Sequence, residues 1–166
     1  MASTVSMIKN GLPALLDRLN GLTRKDVLVG VPQENDARKG TDEMVMNNAT
    51  LAFIHDRGSP AANIPARPFM QPGITRVKNR LINEMHDAAA TVLQGGEDTV
   101  AFDNAGLIAQ RSIRAVINDG PPPPLEDSTI AARKRRGRLS EKPLVDTGQL
   151  RNSITYVVRD KNNGPA

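Results

Sequence analysis

The sequence predicts an α+β fold: a small antiparallel β-sheet packed against a long helical hairpin, with a further helix at the N-terminus, in a single domain. Three observations carry this. Two long helical stripes meet at Gly95-Gly96. Two segments with period-two alternation, 26–31 and 152–159, stand near opposite ends of the chain. The apolar residues are almost all aliphatic, with three Phe, one Tyr and no Trp, so the core is built of Leu, Ile, Val, Ala and Met. A length of 166 residues fits one domain with a modest core.

Taken in order, Ile8, Leu12, Leu15, Leu16 and Leu19 follow helical spacing and predict an amphipathic helix over 6–20. Pro13 either interrupts it or marks its first turn, and Gly21 is a natural stop. Val27, Val29 and Val31 share one face of a strand over 26–31. Residues 32–42 are polar and read as a loop. A short helix over 48–56 turns Leu51, Ala52 and Ile54 inward, and Gly58 ends it. Pro72 suits an early helical position. From there Ile74, Val77, Leu81, Met85, Ala88, Val92 and Leu93 form a stripe up to Gly95-Gly96. Asp98 is placed to cap the next helix. That helix carries Val100, Ala101, Ala105, Ile108, Ser112, Ile113, Val116 and Ile117 to Asp119-Gly120. Helices joined this way pack as a hairpin.

Pro121 to Pro124 form a stiff spacer, expected to swing the following segment away from the helices. Residues 128–136 predict a short, strongly basic helix. The Pro-rich and basic stretch at about 120–143 therefore reads as an arm, ordered only on meeting a partner. The last strand, 152–159, is expected to pair with the first.

Composition excludes several function classes. There is no cysteine, hence no disulfide and no thiolate chemistry. No apolar run approaches the ~20 residues that span a bilayer, and the N-terminus has no signal-peptide pattern. A soluble protein, with no membrane partner, is expected. The scarcity of aromatic rings argues against a single-strand nucleic-acid platform. There is no phosphate loop and no dinucleotide fingerprint. The net charge is +4, with much of the excess in one run.

Two segments carry the functional information. In Ile64-Pro65-Ala66-Arg67-Pro68-Phe69, each proline fixes its own φ and extends the residue before it. The result is a stiff strip expected to present Arg67 and Phe69. In Pro143-Leu144-Val145-Asp146-Thr147-Gly148-Gln149-Leu150-Arg151-Asn152-Ser153-Ile154, Asp146 and Thr147 suit a turn, Gly148 tolerates positive φ, and alternation from Ile154 predicts a strand.

The order of these pieces resembles a known family. A strand ending Val29-Gly30-Val31 precedes a helix running into His55-Asp56-Arg57-Gly58. The Ile-Pro-Ala-Arg-Pro-Phe strip, a long helix, a basic stretch and the Thr-Gly-x-Leu-x-x-Ser-Ile segment follow. This order, over residues 27–158, resembles the tail-completion, or virion morphogenesis, proteins of long-tailed bacteriophages. Where that family often has an acidic residue and an aromatic before the glycine, this chain has His55-Asp56-Arg57. The resemblance implies a non-enzymatic structural protein of the virion neck, assembled in the host cytoplasm, which completes the tail and joins it to the head. It implies a ring of copies, expected as a hexamer, flanked by a head-side connector or stopper and a tail terminator and surrounding double-stranded DNA. The residues expected to shape or make the contacts are Arg67, Pro68, Phe69, Thr147, Gly148, Leu150, Arg151, Ser153 and Ile154.

Asp146-Thr147-Gly148 matches the triad of aspartic proteases, which in retroviral-type enzymes is shared between two subunits. Only 18 residues follow Gly148, too few for the β-barrel and flap that such a site needs, so a turn before a strand is the better reading. His55-Asp56 has only His86 as a second histidine, short of a metal set. No catalytic, cofactor or metal residue is assigned. Arg133, Lys134, Arg135, Arg136 and Arg138 form the strongest charge feature. They are candidates for contact with DNA phosphates or an acidic partner. The alternative reading that rests on them is a small cytoplasmic polyanion-binding protein; a retroviral-type protease stands third.

Overall fold

A computed structural model describes residues 3–37, 46–96 and 100–161. The elements run α1 (Ser3–Thr23), β1 (Lys25–Gly30), α2 (Asn48–Arg57), α3 (Met70–Leu93), α4 (Ala101–Asp119), α5 (Asp127–Arg135), α6 (Gln149–Ser153) and β2 (Thr155–Asp160). The expected α+β arrangement is present. The sheet has two strands, β1 and β2, paired antiparallel from Lys25 opposite Asp160 to Gly30 opposite Thr155.

The hairpin of α3 and α4 forms the body. Its stripes point inward as the spacing predicts: Ala88 and Val92 of α3, and Ala105, Ile113, Val116 and Ile117 of α4, are buried. Leu93 and Val100, at the end where the two helices connect, are exposed. Two contacts fix how closely the helices approach. Ser112 Oγ donates to Gly73 O at 2.7 Å inside the interface, and Gly73 lies so near Ile113 that an added Cβ would sit 2.7 Å from its Cα. In an open helical position Gly→Ala gains about 1 kcal/mol, but here the methyl meets backbone. Gly73→Ala is expected to destabilise by about 1–3 kcal/mol through overpacking. Gly21→Ala, with nothing within 4 Å of the new Cβ, is expected to leave stability unchanged or raise it. Paired thermal melts check the opposite signs.

The sheet packs one face on α4. The Tyr156 ring packs against Gly106, where any Cβ would come 2.2 Å from it. With Tyr156 inward, Val27, Val29 and Val158 share its face, while Asp26, Leu28, Val157 and Arg159 share the other. Lys25 Nζ stands 5.7 Å from the Phe102 ring centroid, within cation–π range.

Several boundaries differ from expectation. Helix α1 runs through Pro13 and past Gly21; Leu15 and Leu19 are half-buried, whereas Leu12 and Leu16 are exposed. The Ile8 side chain, Gly40 in the expected loop and the expected cap Asp98 lie outside what is described. The larger correction is at the C-terminal end. Residues 149–153, expected as turn and strand, form a helical turn. Leu150 and Ser153 are the buried pair, a spacing of three that belongs to a helix, and alternation begins only at Ile154.

The core lies where α4, the residue-69 corner and the C-terminal segment meet. Phe69, Ile113, Ile117 and Ile154 are fully buried, with Val116, Leu144 and Leu150 around them.

Candidate functional site

The two segments that stand out in the sequence meet in the structure. Helix α2 ends at Gly58, whose φ of 80° is open to glycine at little cost. A Cβ there would also come 2.8 Å from Ala66 N. The chain turns through Ser59–Ile64, closed by Ser59 N donating to Ile64 O at 2.9 Å and Ile64 N to Ser59 O at 3.0 Å. The strip then passes back across the end of α2. Arg67 N donates to His55 O at 2.7 Å. Asp56 Oδ1 accepts from Phe69 N at 2.9 Å and Met70 N at 3.0 Å. The acidic residue of His55-Asp56-Arg57 thus serves the first amides of α3, which have no helical acceptor of their own. Asp56→Ala is expected to cost about 1 kcal/mol, as loss of an N-terminal cap does, readable in a urea melt.

Arg67 is buried, 7% exposed. Its guanidinium reaches the polyproline segment, Nε donating to Pro123 O at 2.7 Å and Nη2 to Pro124 O at 3.0 Å. A proline run offers carbonyls and no N–H, so it suits a donor-only group. Burial, then the like charge of Arg133, lowers the Arg67 pKa below the ordinary arginine value, with Glu126 opposing; an arginine stays charged regardless.

Arg133 sits on the far side. It is 8% exposed, and its Nη1 donates to Ser140 O (3.1 Å), Lys142 O (2.9 Å) and Val145 O (3.0 Å). Nε lies 3.8 Å from Asp146 Oδ1, and Arg138 bonds the other oxygen of the same carboxylate. One side chain of α5 thereby gathers residues 140–146 into a closed loop. Gly148, at φ 78°, then turns the chain into α6. Arg114 of α4 closes the far end, with Nε 3.0 Å and Nη2 2.7 Å from Ile154 O, and Nη2 3.1 Å from Asn152 O.

The Pro-rich and basic stretch is therefore folded onto the body, not swung away from it. Arg67 holds its start and Arg133 its return, and Pro121 and Pro143 are buried. Between strip, prolines and turn runs a cleft of ≈ 990 Å³, lined among others by Ile64, Arg67, Pro124, Arg133, Asp146 and Gly148.

The expected contact residues divide in two. Arg67, Phe69, Leu150, Ser153 and Ile154 are buried within their own chain, because their apolar and donor groups complete the core and the corner. The strip does not present Arg67 and Phe69 outward. Pro68 and Thr147 are exposed, and Gly148 and Arg151 half-buried; Arg151 Nη1 bonds Asn118 Oδ1 at 3.0 Å. The basic run divides likewise. Arg133 is a buried brace, not a surface cation. Lys134 pairs with Glu141 at 2.7 Å, and Arg138 with Asp146. Arg135 and Arg136 stand in solvent with no ion-pair partner among the described residues.

The Asp146-Thr147-Gly148 triad opens a helix beside a two-stranded sheet and pairs its carboxylate with two arginines, an arrangement unlike a protease dyad. No three His, Cys, Asp or Glu converge among the described residues. Sequence reasoning missed Asp56 and Arg114. The acid before Gly58 was a usable signal for the first. An arginine inside the apolar stripe of α4 gives no sign that it ties two distant carbonyls.

No family profile matches the chain, and no solved structure matches it. A segment of 43 residues is 46% identical to the uncharacterized protein MJ0331 of Methanocaldococcus jannaschii. The match takes in 26% of this chain and 32% of that protein. The chain thus spans about a third of the length of the relative it matches, and no activity comes with the likeness.

Proposed function

We propose that this chain is a structural protein of a bacteriophage neck, a tail-completion component that joins tail to head as part of an oligomeric ring. One observation carries the reading. The two segments whose order resembles the tail-completion family, far apart in sequence, come together as the walls of one cleft, and buried arginines brace them there. The arginines are engaged with backbone carbonyls, which suits a rigid docking corner. In such a ring, Pro68, Thr147, Gly148 and Arg151 are the residues placed to touch a neighbour, and Phe69, Leu150 and Ile154 hold them in position. Its partners are copies of itself, a head-side connector or stopper and a tail terminator.

The polyanion reading keeps Arg135 and Arg136 as its support. In the neck reading the same two cations face phosphates of the packaged duplex or an acidic neighbour. The test is composition: particles made from the genome that encodes this chain are purified and analysed by quantitative mass spectrometry. The chain is expected in several copies per particle. Its absence from purified particles overturns the proposal.

A further inference from the structure

The two-stranded sheet has open edges, and their chemistry points to an occupant. Lys161 N donates to Arg24 O at 2.6 Å. Antiparallel alternation then turns the backbone groups of Val157 and Arg159 toward β1, and those of Tyr156 and Val158 outward. On β1 the groups of Asp26 and Leu28 face β2, and those of Val27 and Val29 face away. No backbone partner meets these outward groups among the described residues. Such edges template pairing with another chain unless proline, a bulge or a cover blunts them. Neither strand contains a proline, and the register runs without a break from Lys25 to Gly30. A sheet of two strands is also marginal by itself.

We propose that the outer edge of β2 in one copy pairs antiparallel with the outer edge of β1 in the next, in the register the strands already use within one chain. Charge favours a second copy as the occupant. Within the chain, Lys25 stands opposite Asp160, Asp26 opposite Arg159 and Leu28 opposite Val157. Repeating the pairs outward gives an alternating ladder in which Lys25 and Arg159 each lie between carboxylates; at the next rung Lys161 stands opposite Arg24, its Nζ 3.3 Å from Asp26 Oδ1. Arg159 has the most to gain. Its Nη2 is 3.7 Å from Asp26 Oδ2, and its Nε–H has no acceptor among the described residues; the next copy's Asp26 adds a carboxylate on its other side. Leu28 and Val157, 45% and 37% exposed, become a continuous apolar row. The contact joins unlike surfaces, so it propagates and forms a ring if the rotation closes. This deepens the ring reading and rests on it for the choice of a second copy.

The chain has no cysteine, so single thiols report cleanly. Full-length Leu28→Cys and Val157→Cys proteins are mixed, oxidised and run without reductant, beside a light-scattering measurement of mass. The Leu28→Cys/Val157→Cys double variant controls for thiol reactivity, since those positions face each other within one chain. A disulfide-linked product of twice the chain mass is expected in the mixture and not in either single variant. Three outcomes overturn the proposal: an oligomer without that product while the double variant oxidises, equal cross-linking within each single variant, or a chain that stays monomeric. In the first, the ring reading stands and this edge is not its contact.

Discussion

Phe69→Ala is expected to lower stability by about 3–5 kcal/mol, the usual cost of removing a fully buried phenylalanine. Phe69 has no exposed surface and stands at the centre of the cluster with Ile113, Ile117 and Ile154. Its amide is held by Asp56, so the backbone does not collapse freely into the space left. For a chain of this size about 1 kcal/mol moves Tm by roughly 2–4 °C, so a fall of ~10 °C is expected by calorimetry. The value decides between two roles for the strip. If Phe69 were a surface anchor, the variant would melt like the parent and fail only in assembly. Pro68→Ala, one residue earlier and exposed, is expected within about 0.5 kcal/mol of the parent, as surface changes usually are.

Arg133→Ala is expected to cost about 3 kcal/mol. It strips donors from three carbonyls and a partner from Asp146, and breaking a buried ionic cluster by removing one member costs about 3–5 kcal/mol. Arg133→Lys is expected to recover little, because an ammonium lacks the planar fork that reaches several acceptors. Arg135→Ala and Arg136→Ala, equally basic and adjacent, are expected within about 0.5 kcal/mol of the parent. Urea titrations of the variants read this contrast. Equal, small effects at all three positions would mean that the loop of residues 140–146 is not held by Arg133.

Much of the fold was legible because its signals are local or periodic. The stripes of α3 and α4, the Gly-Gly break between them and the alternation in β1 and β2 each fix an element without reference to the rest. The helical turn at 149–153 was not legible. Leu150 and Ser153 show a spacing of three, but they are preceded by turn residues and followed by alternation, and one turn of helix is too short to give a periodic signal. The site was legible in composition and hidden in orientation. The strip and the Thr147–Ile154 segment were identifiable as a pair, yet nothing in a proline-flanked arginine says whether it points out or in. That depended on the carbonyls of Pro123 and Pro124, more than fifty residues away. Arg133 makes the same point. Five cations in six residues read as one candidate contact surface, and which one is buried is set by where α5 lands against residues 140–146.

The most direct measurement is electron microscopy of particles made when this gene carries an early stop codon. Filled heads lying apart from otherwise normal tails are the expected result, and they would place the missing chain at the joint. Intact infectious virions would contradict the neck assignment and leave Arg135 and Arg136, and the polyanion they meet, as the better lead.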